Sequence, residues 1–351
     1  MANGHLAVHW DLDGTITSII DVARGRELLA VGTAVTVELA PDHPVEYDAW
    51  DLESWTRQLG VPLEGVPMVG AASVEYVERG PLLSSVCVRR TFADSVMDVT
   101  YVMRAGSARL DLCFDIEWHE HERLLSVVVP LDVHAADATC DIQFATVRRP
   151  THASTPWDAA KFEVCAHRFV DLSEPNFGVA VLNDGRFGHC LFDGGVRVSL
   201  LRGARFPDPE ADQGRHRVTI SVMPHGAGLH DVLHEAEALN MPLRLVPGGP
   251  DLAGSGLAAA ARFVPPVVSL DHQGVQLSAV KRADDGSGDL IVRLHEACGD
   301  RAAVSVRAAT SVLAAHRCNA LEEPHTGLDV ADGFVALILR PFELVTLRLA
   351  T

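Results

Sequence analysis

LAVHWDLDGTITSI, residues 6–19, admits two different folds. An apolar run enters Asp11-Leu12-Asp13-Gly14-Thr15. At the end of a parallel strand, such an Asp-x-Asp is a phosphoryl-transfer centre. The first carboxylate attacks phosphorus and the second handles the leaving-group proton. In an antiparallel protein the same residues turn a hairpin with arms HLAVHW and TITSII, because Asp and Gly supply what tight turns need. The neighbouring sequence has to choose.

The neighbours are strands. VTVELA, SVEYV, SSVCVRRTF, DVTYVM, RLDLCFDIEW, RLLSVVVPLDV, CDIQFATV, FGVAVLND, VRVSLLR and RVTISVMP follow one another. Most alternate apolar and polar residues, the period of a half-buried strand. Between them lie ERGP, RAGS, NDGR and FDGG, with Asn183-Asp184-Gly185 and Asp193-Gly194-Gly195 read as hairpin turns. One helix is expected over 228–241, with Leu229, Val232, Leu233, Ala236 and Leu239 on a face and Pro242 ending it. A linker rich in Gly, Pro and Ala is expected over 242–263, and strands resume from 264 to 351. The expected fold is all-β: a large antiparallel β-sandwich over 1–241, then a smaller C-terminal β-sandwich.

A phosphatase of the haloacid-dehalogenase type needs alternating strands and helices, a distant lysine and a separate acidic pair. Here more strand-like sequence follows the Asp-x-Asp. Lys281 stands three residues before Asp284-Asp285, too close to form separate motifs. The hairpin reading of 11–14 therefore takes precedence.

Composition narrows the partners. The chain has 351 residues, 48% of them hydrophobic, enough for two cores. With 47 acidic against 29 basic residues its formal charge is −18, a surface that repels nucleic acid and anionic membranes. Seven cysteines are widely spaced without a C-x-x-C pair, which suits reduced thiols in a cytoplasmic protein. The opening MANGHLAVHWD has no signal-peptide pattern, and no apolar run approaches the ~18 residues that span a bilayer.

Longer motifs are more specific. RRPTHASTPWDAAKFEVCAHRFVDLSEPNFGVAVLNDGRFGH (148–189) and VSLLRGARFPDPEADQGRHRVTISVMPH (198–225) closely resemble the C-terminal β region of glycoside hydrolase family 38 α-mannosidases, of the bacterial and cytosolic-vacuolar branch. DLDGTITSI, YDAWDLE, DIEWHEHERLLSVVVPLDV and LSAVKRADDGSGDLIVRLHEACG extend the resemblance over about 3–350. Two stretches depart from the family pattern: Thr155-Pro156-Trp157-Asp158, and Asn183-Asp184-Gly185-Arg186-Phe187-Gly188.

The resemblance implies a mutarotase-like supersandwich and a role in retaining hydrolysis of terminal α-D-mannosides. It also implies that the nucleophile, the acid and a zinc ion held by two His and two Asp belong to an N-terminal barrel that this chain does not match. No cofactor is expected in this chain. It is expected to buttress that barrel, supplied as a separate subunit or missing from a truncated gene, to shape the sugar site, and to be inactive alone. Homo-oligomers are compatible with this reading. The alternative is a free-standing carbohydrate-binding module presenting Trp50, Trp55 or Trp157.

Two segments hold the substrate-binding candidates. YDAWDLESW (47–55) offers Trp50 to stack on a pyranose, and Asp48 and Asp51 to accept from hydroxyls. LLRGARFPDPEADQGRH (200–216) is long for a hairpin and offers Arg202, Asp208 and Asp212. Related enzymes place a loop from this part near the active site. His119 and His121 of HEHE would share a strand face, but no third ligand stands near them. His230 and His234 of HDVLHE have zincin spacing, but with Asp231 in place of the glutamate. A solvated strand end and a solvated helix side are the better readings. Cys87 before Arg89-Arg90 is the one cysteine in a basic setting, and strand packing explains it as well.

Overall fold

In the computed structural model, which describes residues 1–54, 72–244 and 266–351, the strands Leu6–Trp10 and Ile16–Asp21 pair antiparallel. Asp11 is the keystone of their turn. One of its carboxylate oxygens accepts from the backbone N–H of Asp13 at 3.0 Å and of Thr15 at 2.9 Å. Gly14 has φ +76°, and a Cβ there would lie 2.6 Å from a Val88 methyl, so the turn needs glycine twice over. The turn docks through Tyr101, whose hydroxyl donates to the Gly14 carbonyl at 2.7 Å. Asp11 turns an antiparallel hairpin instead of ending a parallel strand, and the phosphatase reading falls.

The described residues form two compact units, 1–142 with 147–240 and 143–146 with 241–351. The linker reading of 242–263 rests almost entirely on residues outside those described, as does Trp55.

The first unit holds a nine-stranded and a five-stranded sheet, plus a three-stranded one built on the Asp11 hairpin. Across the nine-stranded sheet the strands are Ala145–Pro150, Asp137–Ile142, Phe169–Glu174, Phe177–Asn183, Gly214–His225, Leu110–Trp118, Ser95–Arg104, Leu83–Phe92 and Ser73–Arg79. The five-stranded sheet is ordered Val164–Cys165, Gly188–Phe192, Gly195–Leu201, Arg123–Pro130 and Thr36–Pro41. Alternation dictates the packing. In Ser95–Arg104 each buried residue is followed by a half-buried or exposed one, putting Met97, Val99, Tyr101 and Met103 on one face. They meet Val127, Val129, Val196 and Val198 of the five-stranded sheet in one core. Each such large side chain contributes about 1.5–3 kcal/mol by leaving water.

The helix forms over His230–Asn240, with Val232, Leu233 and Ala236 buried. It rests on the strands 177–183 and 214–225. Arg109 donates to the Glu235 carboxylate at 2.9 Å, and Arg168 to that of Glu237 at 2.9 Å. Beneath the sheet surface His225 and Asp171, both almost wholly buried, meet at 2.7 Å, and Ser173 donates to the same carboxylate.

Two expected turns differ. Asp193-Gly194 does turn a hairpin, with Phe192 opposite Gly195. Asn183-Asp184-Gly185 instead carries the chain from the nine-stranded to the five-stranded sheet. The Asn183 side chain accepts from Gly185 and Arg186 and donates to the His167 carbonyl, making a corner from residues that usually make hairpins. CDIQFATV is two strands, because Phe144 at φ +56° turns the chain between Ile142 and Ala145.

The second unit has a four-stranded and a five-stranded sheet around Val292, Leu294, Val304, Val335 and Leu347. The carboxylate of Glu296, wholly buried, accepts from the N–H of Cys298 at 2.8 Å, Gly299 at 2.8 Å and Phe342 at 3.0 Å, stitching two turns together. Lys281 pairs with Asp284 at 2.6 Å and with Glu322 at 2.7 Å.

Candidate functional site

One end of the five-stranded sheet gathers the loops that the sequence singled out. Pro41 pairs with Arg123, and Leu125 with Leu201, so the segments 42–54, 119–122 and 202–213 leave the sheet side by side. Backbone bonds tie them together. Asp42 N–H donates to the Glu122 carbonyl at 2.9 Å, Glu122 N–H to Gly203 at 2.8 Å, and Arg123 N–H to Arg202 at 3.1 Å. Gly203 has φ +69°, and a Cβ there would run into the Glu120 carbonyl and crowd the indole nitrogen of the buried Trp118. Only glycine lets the strand pass so close.

Arg202 locks the arrangement. Its Nε donates to Asp42 Oδ2 at 2.6 Å and its Nη2 to Oδ1 at 3.1 Å, while Nη2 also reaches the Asp51 carbonyl at 2.5 Å. Asp42 is 2% exposed, so this is a bidentate, desolvated pair. Asp48 accepts from the N–H groups of Arg205 at 2.7 Å and Phe206 at 2.9 Å. Asp212 accepts more loosely from Arg202 at 3.4 Å and Gly203 at 3.3 Å. Asp208 caps its own turn through the Glu210 N–H at 3.0 Å.

The structure thus brings the two candidate segments into one corner and shows what their polar groups do. Arg202, Asp48, Asp212 and Asp208 hold backbone in place. Asp51 uses one oxygen on the Leu52 N–H at 2.9 Å. Trp50 is turned outward by a tight turn, in which Tyr47, at φ +57°, accepts from the N–H of Trp50 at 2.7 Å and of Asp51 at 2.9 Å. Trp50, Phe206 and Tyr47 are each about two-thirds exposed, at 67%, 65% and 66%. The Trp50 and Phe206 rings meet edge to face, 6.4 Å between centroids and 70° between planes. Around them Arg205 lies 3.7 Å and His43 3.8 Å from the Glu122 carboxylate.

Sequence reasoning missed Asp42, Glu122, Arg205, Phe206 and His43. The signal for Asp42 was a proline-flanked aspartate at the end of a strand, in ELAPDHP. Its pairing with a residue 160 positions away leaves no local trace.

The metal candidates do not assemble. Among the described residues no group of three or more His, Cys, Asp or Glu side chains could hold an ion. HEHE lies in the connection after the strand Leu110–Trp118 rather than on a strand, and Glu120 accepts there from Asp94 N–H and the Ser95 hydroxyl. His230 and His234 are exposed on the helix. The zinc implied by the family resemblance therefore finds no ligand set among the described residues. Burial pushes the Cys87 thiol up, away from the thiolate a nucleophile needs.

The described helices include none long and apolar enough to cross a membrane.

Comparison with known proteins supplies the context. Residues 1–210 match the model of the glycosyl hydrolases family 38 C-terminal domain, and residues 274–347 that of the family 38 C-terminal beta sandwich domain. The chain is 33% identical to human alpha-mannosidase 2C1 over 99% of its own length and 33% of that protein. It is 30% identical to alpha-mannosidase G of Dictyostelium discoideum, over 96% of this chain and 31% of that one. The crystal structure of an alpha-mannosidase from Enterococcus faecalis V583 superposes with a TM-score of 0.76 at 19% identity, over the whole of this chain and 42% of that one. The chain thus spans about a third of the length of the curated relatives it matches.

Proposed function

This chain belongs to glycosyl hydrolase family 38 through its C-terminal domains, and from that premise we propose that it serves as the C-terminal β portion of an α-mannosidase acting on terminal α-D-mannosides. In this reading the retaining chemistry, with its two carboxyl groups, is carried out by a barrel that the chain supports. The chain's own contribution is to shape the rim of the sugar site. Trp50 and the outer oxygen of Asp51 are the groups that touch the glycan, and Asp48, Arg202, Asp208 and Asp212 position them. The observation that carries the proposal is the corner itself, where segments 150 residues apart are latched by a buried ion pair so that aromatic rings stand in solvent. A loop built only to connect strands has no need of such a latch.

The test is a chimera in which this chain replaces the C-terminal β region of a family 38 α-mannosidase. Turnover of an aryl α-mannoside is expected, with KM raised several-fold by Trp50→Ala. A folded chimera that never turns over the substrate refutes the role.

The second reading, a carbohydrate-binding module, draws on the exposure of Trp50 and of Trp157, the latter 81% exposed on the short helix Pro156–Ala159. Saturable binding of manno-oligosaccharides by the chain alone would favour it.

A further inference from the structure

The helix His230–Asn240 is tied to the nine-stranded sheet through buried aspartates, and one tie differs from the others. In that sheet Val170, Leu172, Val179 and Val222 face the two-sheet core. The alternate positions Asp171, Ser173, Gly178 and His225 therefore face the other side, where the helix rests on 177–183 and 214–225. Asp111 and Asp141 lie on that side too, since Leu110, Leu112 and Cys140 face the core. Asp111, Asp141 and Asp171 are each at most 2% exposed, and a carboxylate so placed needs a charged partner. Arg109 bonds Asp111 at 2.6 Å and reaches Glu235 of the helix, and Arg168 bonds Asp141 at 3.0 Å and reaches Glu237. Among the described residues Asp171 meets no arginine. Its side-chain partners are the Ser173 hydroxyl at 2.8 Å and His225 Nε2 at 2.7 Å.

The backbone is shaped for this pair. Gly178 stands opposite Ser173 on one side and His225 on the other, in three neighbouring strands. To reach Asp171 the imidazole crosses over Gly178, where a Cβ would collide with both His225 Nε2 and the Ser173 hydroxyl. Any side chain at 178 would close the passage. His225 ends its strand, and only residues 226–229 separate it from the first turn of the helix. The other charges at this spot have partners of their own. Arg24 lies against Gly226 and pairs with Asp21, and Arg26 pairs with Glu174 over the Phe177 ring. The helix brings His230 and Asp231 in its first turn, both exposed.

We propose that the Asp171–His225 pair is a pH-sensitive tie, which holds the start of the helix to the sheet while His225 is protonated and loosens when it is not. Arginine keeps its charge at any pH the fold meets, so the ties through Arg109 and Arg168 are permanent. Histidine is the cation that lets go near neutrality. Burial alone would pull the His225 imidazole down, and the Asp171 carboxylate outweighs that and raises it. A histidine raised in the fold contributes stability that is full below its ordinary value of 6.5 and is lost as pH rises through the folded value. His189, which burial pushes down, acts on the acid limb instead. The loosening begins at 226–229 and takes in the first turn of the helix, while Glu235, Glu237 and Asn240 keep the far end seated. The tie belongs to the fold of this chain and holds under either reading of its function.

The experiment is amide exchange of the full chain, followed by mass spectrometry at about pH 6 and about pH 9 and corrected for the intrinsic rate. In the native chain exchange over 226–233 should rise about 10-fold or more between the two, the effect of losing one charge-assisted hydrogen bond. Exchange over 235–240 should not change. His225→Gln keeps a neutral donor beside Asp171, so its exchange over 226–233 should match the native alkaline rate at both pH values. A midpoint for the His225 imidazole, read by NMR on the native chain, needs no variant to fold and should lie above 6.5. A midpoint at or below 6.5 overturns the tie, as does equal native exchange over 226–233 at both pH values. A pH effect as large in His225→Gln as in the native chain assigns it to another group and overturns the proposal. A rise of the same size over 235–240 shows general loosening of the fold and overturns it too.

Discussion

Replacing Asp42 by alanine removes one half of the latch and leaves the Arg202 guanidinium facing a desolvated gap. Breaking a buried pair by deleting one partner costs about 3–5 kcal/mol. The Arg202 side chain is still 22% exposed and keeps the Asp51 carbonyl, so water and one acceptor soften the loss to about 2–3 kcal/mol. Arg202→Ala strands a carboxylate that is almost wholly buried and should cost more, about 3–5 kcal/mol. Removing both partners should recover roughly 2 kcal/mol of the summed losses, because neither charge is then left alone. For a unit of this size 1 kcal/mol moves the midpoint by about 2–4 °C, so Arg202→Ala should melt roughly 6–20 °C lower. Urea unfolding followed by tryptophan fluorescence supplies the three free energies. Single variants within about 0.5 kcal/mol of the native chain, or strictly additive losses, would show that the pair is not a latch and that the corner is held by other contacts.

Other outcomes follow from the same geometry. Gly203→Ala should cost several kcal/mol, since it adds strain at φ +69° to a clash with the Glu120 carbonyl; a midpoint unchanged in urea contradicts the close approach. Asp11→Ala should cost about 1–2 kcal/mol by freeing two backbone N–H groups, and it should leave any mannosidase activity of the chimera intact, whereas a catalytic Asp11 would abolish it. Burial pushes His189 down to about 4. Its unfolded form therefore takes up a proton first as pH falls, and the stability it contributes above pH 6.5 drains away between 6.5 and 4. His189→Leu should flatten that part of the stability–pH curve, and an unchanged slope would show that His189 is not buried neutral. The Arg26 guanidinium holds Glu174 at about 2, so the stability from that pair is present above pH 4.5 and lost on the way down to 2. Glu174→Gln should be the less acid-sensitive protein, and identical acid midpoints would refute the pairing.

The elements that alternation defines were legible in the sequence. The strands Leu83–Phe92, Ser95–Arg104 and Leu110–Trp118 could be read directly, because one face of each meets the core and the other meets solvent. The Asp11 turn was legible for a related reason, since Asp and Gly at those positions serve backbone donors and a positive φ. Asn183-Asp184-Gly185 has the same composition and yet makes a corner between sheets. Turn chemistry fixes the local bend and not the strand that comes next. The candidate corner was half legible. Its two segments stood out by composition, but the roles within them depend on Asp42, which lies 160 residues from its partner. An exposed carboxylate and one bound to two backbone N–H groups look identical in sequence, and only the fold separates Asp51 from Asp48.

The most direct test is an aryl α-mannoside assay of the purified chain, with zinc and then cobalt added, run beside the same chain mixed with a family 38 catalytic polypeptide. The account predicts no turnover from the chain alone and turnover when the catalytic polypeptide is present. Turnover by the chain alone that survives repurification would contradict it, because the chemistry would then reside in residues assigned here to support.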